Sequence, residues 1–167
     1  MFLCQNVFAQ TTASVGVSIS LPSIALMDVE PNNAGFNLNP TAPTEAGNQL
    51  TTTATNNSKW LNFSSAVTTG STRRIAVQLS GTLPTGINLK LVTATYAGTG
   101  AGTLGSPISP IYLSSSQQTI VNNIGGAYTG NGQGNGYNLT YSIEISNYSL
   151  LRNQTSTVSI IYTLIDN

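Results

Sequence analysis

Apolar side chains recur at every second position along most of this chain. Val158, Ile160, Tyr162 and Leu164 share one face of "STVSIIYTLID", and Ile75, Val77 and Leu79 share one face of "RRIAVQLS". In "INLKLVTATY", Ile87, Leu89 and Leu91 lie opposite Asn88 and Lys90. An extended strand turns successive side chains to opposite sides, so a period of two describes strands with one buried face and one wet face, as antiparallel sheets have. The pattern extends through "QLTTTATN", "KWLNFSS" and "GYNLTYSIEIS", each bounded by Gly, Pro, Asn or Ser. No stretch has a helical period. The nearest, "SSSQQTIVNNI", groups β-branched Thr119, Ile120 and Val121 between turn-rich flanks, which favours a strand over "QTIV".

Short strands with Gly-rich turns and no helical layer must cover their apolar faces with one another. The expected fold is therefore all-β: a two-sheet antiparallel β-sandwich, immunoglobulin-like, of roughly seven to nine strands, with a barrel closed by the same strands as the alternative. The 167 residues suit one domain with a sizeable core, read here as residues 11–167. The closing strand, whose Ile161 and Ile165 interrupt its polar face, is expected to be central. Trp60 is expected in the core. The opening "MFLCQNVFAQ", residues 1–10, reads as a truncated signal-peptide-like segment with cleavage after Ala9 or Gln10, which implies a secreted or cell-surface product. Cys4, the one cysteine, lies inside it, so the mature chain would hold no disulfide. No later segment approaches the ~18 continuous apolar residues of a transmembrane helix.

Charge excludes several functions. Five Lys/Arg balance five Asp/Glu, and charged residues make up 6% of the chain, far below the usual ~25%. Without a net field there is nothing to draw a polyanion, so no nucleic-acid partner is expected. The one adjacent basic pair, Arg73 and Arg74, would point to opposite faces of a strand. There is no histidine, which removes the usual zinc sites and Ser-His-Asp catalysis. Of the carboxylates Asp28, Glu30, Glu45, Glu144 and Asp166, only Asp28 and Glu30 are close in sequence. They could offer oxygens to calcium, but read more simply as a solvated strand end before Pro31. Glu144 reads as an outward charge opposing a neighbouring strand. The glycines of "GGAYTGNGQGNGYN" lack the lysine and hydroxyl of a phosphate-binding loop. No catalytic residue, metal or cofactor is expected, and the protein is read as not an enzyme. Tyr128 and Tyr137, beside asparagines in that loop, are the candidates for contact with a glycan. A second Gly-rich loop, "ATYAGTGAGTLGSP", is expected at the same end of the sandwich.

The N-terminal stretch "SVGVSISLPSIAL" puts Val15, Val17, Ile19 and Leu21 on one side and Gly16, Ser18 and Ser20 on the other. Pro22 has no N–H to donate, so a strand here should end at Leu21 or lie at an edge. "SIALMDVE" can form a further strand, and residues 31–50 read as a long loop with one short strand around Phe36 and Leu38. The alternating segment either forms the first strand of its own domain or adds itself to an open sheet of the next molecule. With the "FAQ" export tail and the closing "STVSIIYTLID", it resembles secreted bacterial all-β surface proteins of the spore-coat-U-like and pilus-subunit-like kinds. That resemblance implies strand exchange, with Val15, Val17, Ile19 and Leu21 filling a neighbour's groove. The chain differs from many such subunits in lacking a cysteine pair. The function expected is a non-enzymatic structural or adhesive component of the bacterial outer surface, partnered by itself or by another surface protein. The alternative is a carbohydrate-binding, lectin-like module.

Overall fold

The computed structural model describes residues 12–167. The signal-like segment 1–10, with Cys4, lies outside the described residues. The described chain is all-β, with eleven strands, a single turn of 3₁₀ helix at Tyr148–Leu150, and no α-helix. Seven strands have seven residues or more: β1 (Ile24–Glu30), β2 (Thr55–Ala66), β3 (Arg73–Ser80), β4 (Ile87–Thr93), β8 (Gln118–Ile124), β10 (Tyr137–Ile145) and β11 (Ser159–Asp166). Four are two-residue pairings: β5 (Ala101–Gly102), β6 (Ser106–Pro107), β7 (Ile111–Tyr112) and β9 (Ala127–Tyr128). Those short pairings raise the count above the seven to nine expected, because loop segments too brief to show a period dock onto the edges of the long strands.

The strands form two antiparallel sheets, a β-sandwich. The larger runs β5-β9-β2-β10-β4-β7, with β1 on the other flank of β2, and the smaller runs β11-β3-β8-β6. The inward set of each strand is the apolar one: Leu61 and Phe63, Leu89 and Leu91, and Tyr137, Leu139, Tyr141 and Ile143 face Ile75, Val77, Leu79, Ile120, Val121 and Ile124. The "QTIV" strand is present as β8. Its pairing with β3 jumps from Ile75↔Val121 to Ala76↔Thr119, leaving Ile120 as an extra residue. That bulge lets Ile120 and its neighbour Val121 both be fully buried.

Three expectations are corrected. Leu61 and Phe63 take the inner face of β2, so Trp60 stands on the outer face, in register with Glu30 of β1 and Asn138 of β10. The strand β11 is an edge strand, paired with β3 alone, and its inward Ile160, Tyr162 and Leu164 are only half-buried. Phe36 and Leu38 belong to no strand, although both pack against the core from the loop, with the Phe36 ring 4.8 Å from that of Tyr141.

The two Gly-rich loops do meet. Ala97 bridges Gly136, the Thr99 amide donates to Asn135 Oδ1, and β5 pairs with β9. Gly136 makes this possible: its φ is +89°, and a Cβ there would collide with the Leu61 carbonyl. The next residue, Tyr137, has no exposed surface; its ring stacks on Phe63 at 6.2 Å and its hydroxyl donates toward the carbonyls of Leu104 (2.9 Å) and Gly105 (3.2 Å). Replacing Tyr137 with Phe keeps the ring and strands those carbonyls, so a loss of about 1–2 kcal/mol is expected. Urea unfolding should show it as a lower midpoint at unchanged slope.

Candidate functional site

The flank formed by β1 and β11 is where the sandwich is least finished. These strands are the neighbouring edges of the two sheets, and no ladder joins them among the described residues. Their inward side chains, Met27 and Val29 from β1 and Ile160, Tyr162 and Leu164 from β11, with Val158 just before it, touch the core while remaining partly exposed. The result is an apolar seam bordered by unpaired backbone, the arrangement to which an added strand can bind. Deeper in, the Tyr141 and Tyr162 hydroxyls meet at 2.5 Å and tie the two sheets together.

One end of the seam is closed by Arg73. It precedes Ile75, Val77 and Leu79 in the inward phase of β3 and is 5% exposed, whereas Arg74 points outward and donates to Asn167 Oδ1 at 3.3 Å. The Arg73 Nε donates to Asp166 Oδ1 of β11 at 2.5 Å. Its Nη1 donates to the Ile24 carbonyl of β1, to Ser65 Oγ at 3.2 Å and toward the Ala66 carbonyl of β2 at 3.4 Å; Nη2 reaches Ser23 Oγ at 3.3 Å. A single guanidinium therefore fastens the start of β1, the end of β2 and the end of β11. The expectation of opposite faces for the two arginines holds, and the inward one is the organising group.

The N-terminal segment leaves the molecule beside this clamp. Residues 12–23 join neither sheet, which corrects the reading of a strand ending at Leu21 within its own domain. Val15, Val17, Ile19 and Leu21 are 79–88% exposed. The four strand-exchange candidates thus lie in a segment that belongs to neither sheet.

The other candidates are dispersed. Tyr128 is 53% exposed, at the rim of a shallow depression of about 410 Å³ on the outer face that Ile24, Ser64 and Ala101 also line. Tyr137 has no face to offer a sugar, so the two tyrosines do not form one surface. Asp28 and Glu30 point outward on β1, Asp28 Oδ1 accepts from the Val29 amide at 2.7 Å, and no third acidic residue joins them among the described residues. Glu144 accepts from Lys90 Nζ at 2.9 Å on β4 and from the Tyr112 hydroxyl at 2.6 Å. These hydrogen bonds, Tyr112 foremost, hold its carboxyl below the usual range. That is the cross-strand pairing its position in "SIEIS" suggests. Among the described residues no helix is long and apolar enough to cross a membrane. The chain matches no protein-family model, no curated protein and no solved structure.

Proposed function

We propose that the protein is a non-enzymatic extracellular structural or adhesive surface component, a pilus-like subunit that assembles by adding its N-terminal segment as a strand to a neighbouring molecule. The observation that carries this reading is the coexistence of a free edge on β11, whose inward side chains are only half-buried, with an alternating segment whose Val15, Val17, Ile19 and Leu21 stand 79–88% exposed. Exposed apolar rows of this length are unusual on a molecule that stays alone. Burying each of those side chains contributes roughly 1.5–3 kcal/mol, and the unpaired edge of β11 supplies the backbone partners that an added strand needs. The near absence of charge lets copies pack closely without mutual repulsion.

Deleting residues 12–22 tests the proposal. The shortened chain is expected to unfold at nearly the same urea concentration as the full chain, since those residues contact little of their own domain, and to form no assemblies by electron microscopy or light scattering. Assemblies that survive the deletion would overturn it. The lectin-like alternative has Tyr128 in its favour, half-exposed beside the Ser64 hydroxyl. A saturable glycan-array signal lost in Tyr128→Ala would favour that alternative.

A further inference from the structure

The seam is not equally open along its length. Arg73 closes one end, but at the other β1 stops at Glu30, in register with Trp60, while β2 extends past it from Lys59 back to Thr55. Residues 31–40 cover the place beyond the end of β1. Phe36 sets its ring 4.8 Å from that of Tyr141, whose hydroxyl meets that of Tyr162 on β11, and Leu38 also packs against the core. Few bonds hold this cover. Among the described residues no main-chain hydrogen bond joins residues 31–40 to either sheet. Its two ends are fixed, by β1 on one side and on the other by the Thr41–Thr51 bridge, whose two hydrogen bonds are 2.9 and 3.1 Å long. Between them Lys59 of β2 is the polar fastening: its Nζ donates to the Asn32 carbonyl at 2.9 Å and to Asn32 Oδ1 at 3.1 Å. Lys59 is in phase with Leu61 and Phe63 and only 6% exposed, yet the ion pairs among the described residues are Arg73–Asp166 and Lys90–Glu144. A carboxylate would hold this buried ammonium more tightly than the neutral amide does.

We infer that residues 31–40 form a releasable strap: in the single molecule they shield the Tyr141–Tyr162 part of the seam, and they swing out about their two fixed ends when a strand is added there. Phe36 and Leu38 are the plug of this strap, and Lys59 with Asn32 is its latch. This rests on the strand-addition reading above and supplies its control. A segment with fixed ends, few main-chain bonds and a neutral partner for its buried cation belongs to the least stable part of a fold, the part that opens first. Until it opens, an unassembled subunit keeps part of its apolar flank covered.

The test tightens the latch and removes the plug separately. Opening is read by the rate of thiol labelling at Leu38→Cys in the full chain carrying Cys4→Ser, and assembly by light scattering of the same chain. Asn32→Asp keeps the shape of the latch and gives the ammonium a counter-charge, so both labelling and assembly are expected to slow by about fivefold. Phe36→Ser removes the plug, and both are expected to quicken by about tenfold while the β-sheet circular dichroism is unchanged. Labelling of Asn32→Asp at the parent rate, or assembly of Phe36→Ser no faster than the parent, would show that residues 31–40 are an ordinary part of the core and that the inference is wrong. Loss of assembly on deleting residues 12–22 would in that case leave strand addition standing. Assembly that is indifferent to the deletion would remove strand addition and its control together.

Discussion

Arg73→Ala is expected to destabilise the domain by about 3 kcal/mol, more than any other single charge removal among the described residues. The guanidinium is buried, and the groups it satisfies on β1 and β2 are the Ile24 carbonyl, the buried Ser65 hydroxyl and the Ala66 carbonyl, the last of which it shares with Ser23 Oγ. Its partner Asp166 behaves differently. The Asp166 side chain is 78% exposed, so water replaces the lost ion pair, and the carboxylate itself contributes little. Asp166→Asn, which keeps an acceptor for Nε, should therefore cost only about 1 kcal/mol. Arg73→Lys should recover a fraction of the loss, because one ammonium cannot reach three strands at once. Urea midpoints at constant slope measure all three. A smaller effect for Arg73→Ala than for Asp166→Asn would mean that the surface ion pair, and not the set of buried bonds, holds this end of the sandwich. The same substitution should loosen the exit of the N-terminal segment, since Ser23 and Ile24 lose their anchor.

Arg73 also shows what the sequence carries and where it stops. Its position in phase with Ile75, Val77 and Leu79 already marks it as inward-facing, a signal that a reading of the Arg-Arg pair as surface charge passes over. Period two reveals which residues share a face, and for β3, β4 and β10 the apolar set is unambiguous. In β2 both sets carry an aromatic, Trp60 against Phe63, and alternation alone leaves the choice of inner face undecided. The outward set there includes Asn62, whose Nδ2 is used by carbonyls of the Gly-rich loop, among them Gly130 at 2.8 Å. That loop is over 60 residues away in sequence. The placement of β11 was hidden for a related reason: Ile161 and Ile165 suggest a covered strand, yet Ile161 is 41% exposed. Apolar residues on both faces of a strand signal burial, and they do not say whether the cover comes from the same chain.

Raising the pH should unfold the domain cooperatively between about pH 10 and 12, well below the range in which arginine loses its charge. Burial pushes the Tyr137 and Tyr141 hydroxyls up to about 12, and it pushes that of Tyr162 well above its ordinary value. In the unfolded chain each ionises near 10. Below pH 10 both states keep these protons, and the stability they contribute is fully present. Above it the unfolded state sheds protons that the folded state retains, so stability falls as pH rises until the folded values are reached. Each such tyrosine contributes a slope of roughly 1 kcal/mol per pH unit, and three acting together approach the ~5–15 kcal/mol that a domain possesses. The Tyr141–Tyr162 contact splits the pair: desolvation raises Tyr141 while a hydrogen bond from Tyr162 offsets part of that rise, and burial, with the neighbouring Tyr141 added to it, holds the Tyr162 proton. Tyrosinate absorbance and circular dichroism followed together should change in one transition, with these three tyrosines titrating only as the sandwich opens. Tyr137→Phe, though weaker at neutral pH, should lose stability less steeply above pH 10, since it has one fewer proton to release. Gradual ionisation of all seven tyrosines near pH 10 with the β-sheet signal intact would show that the interior tolerates the phenolate, and that the tyrosine layer between the sheets is wetter than its burial implies.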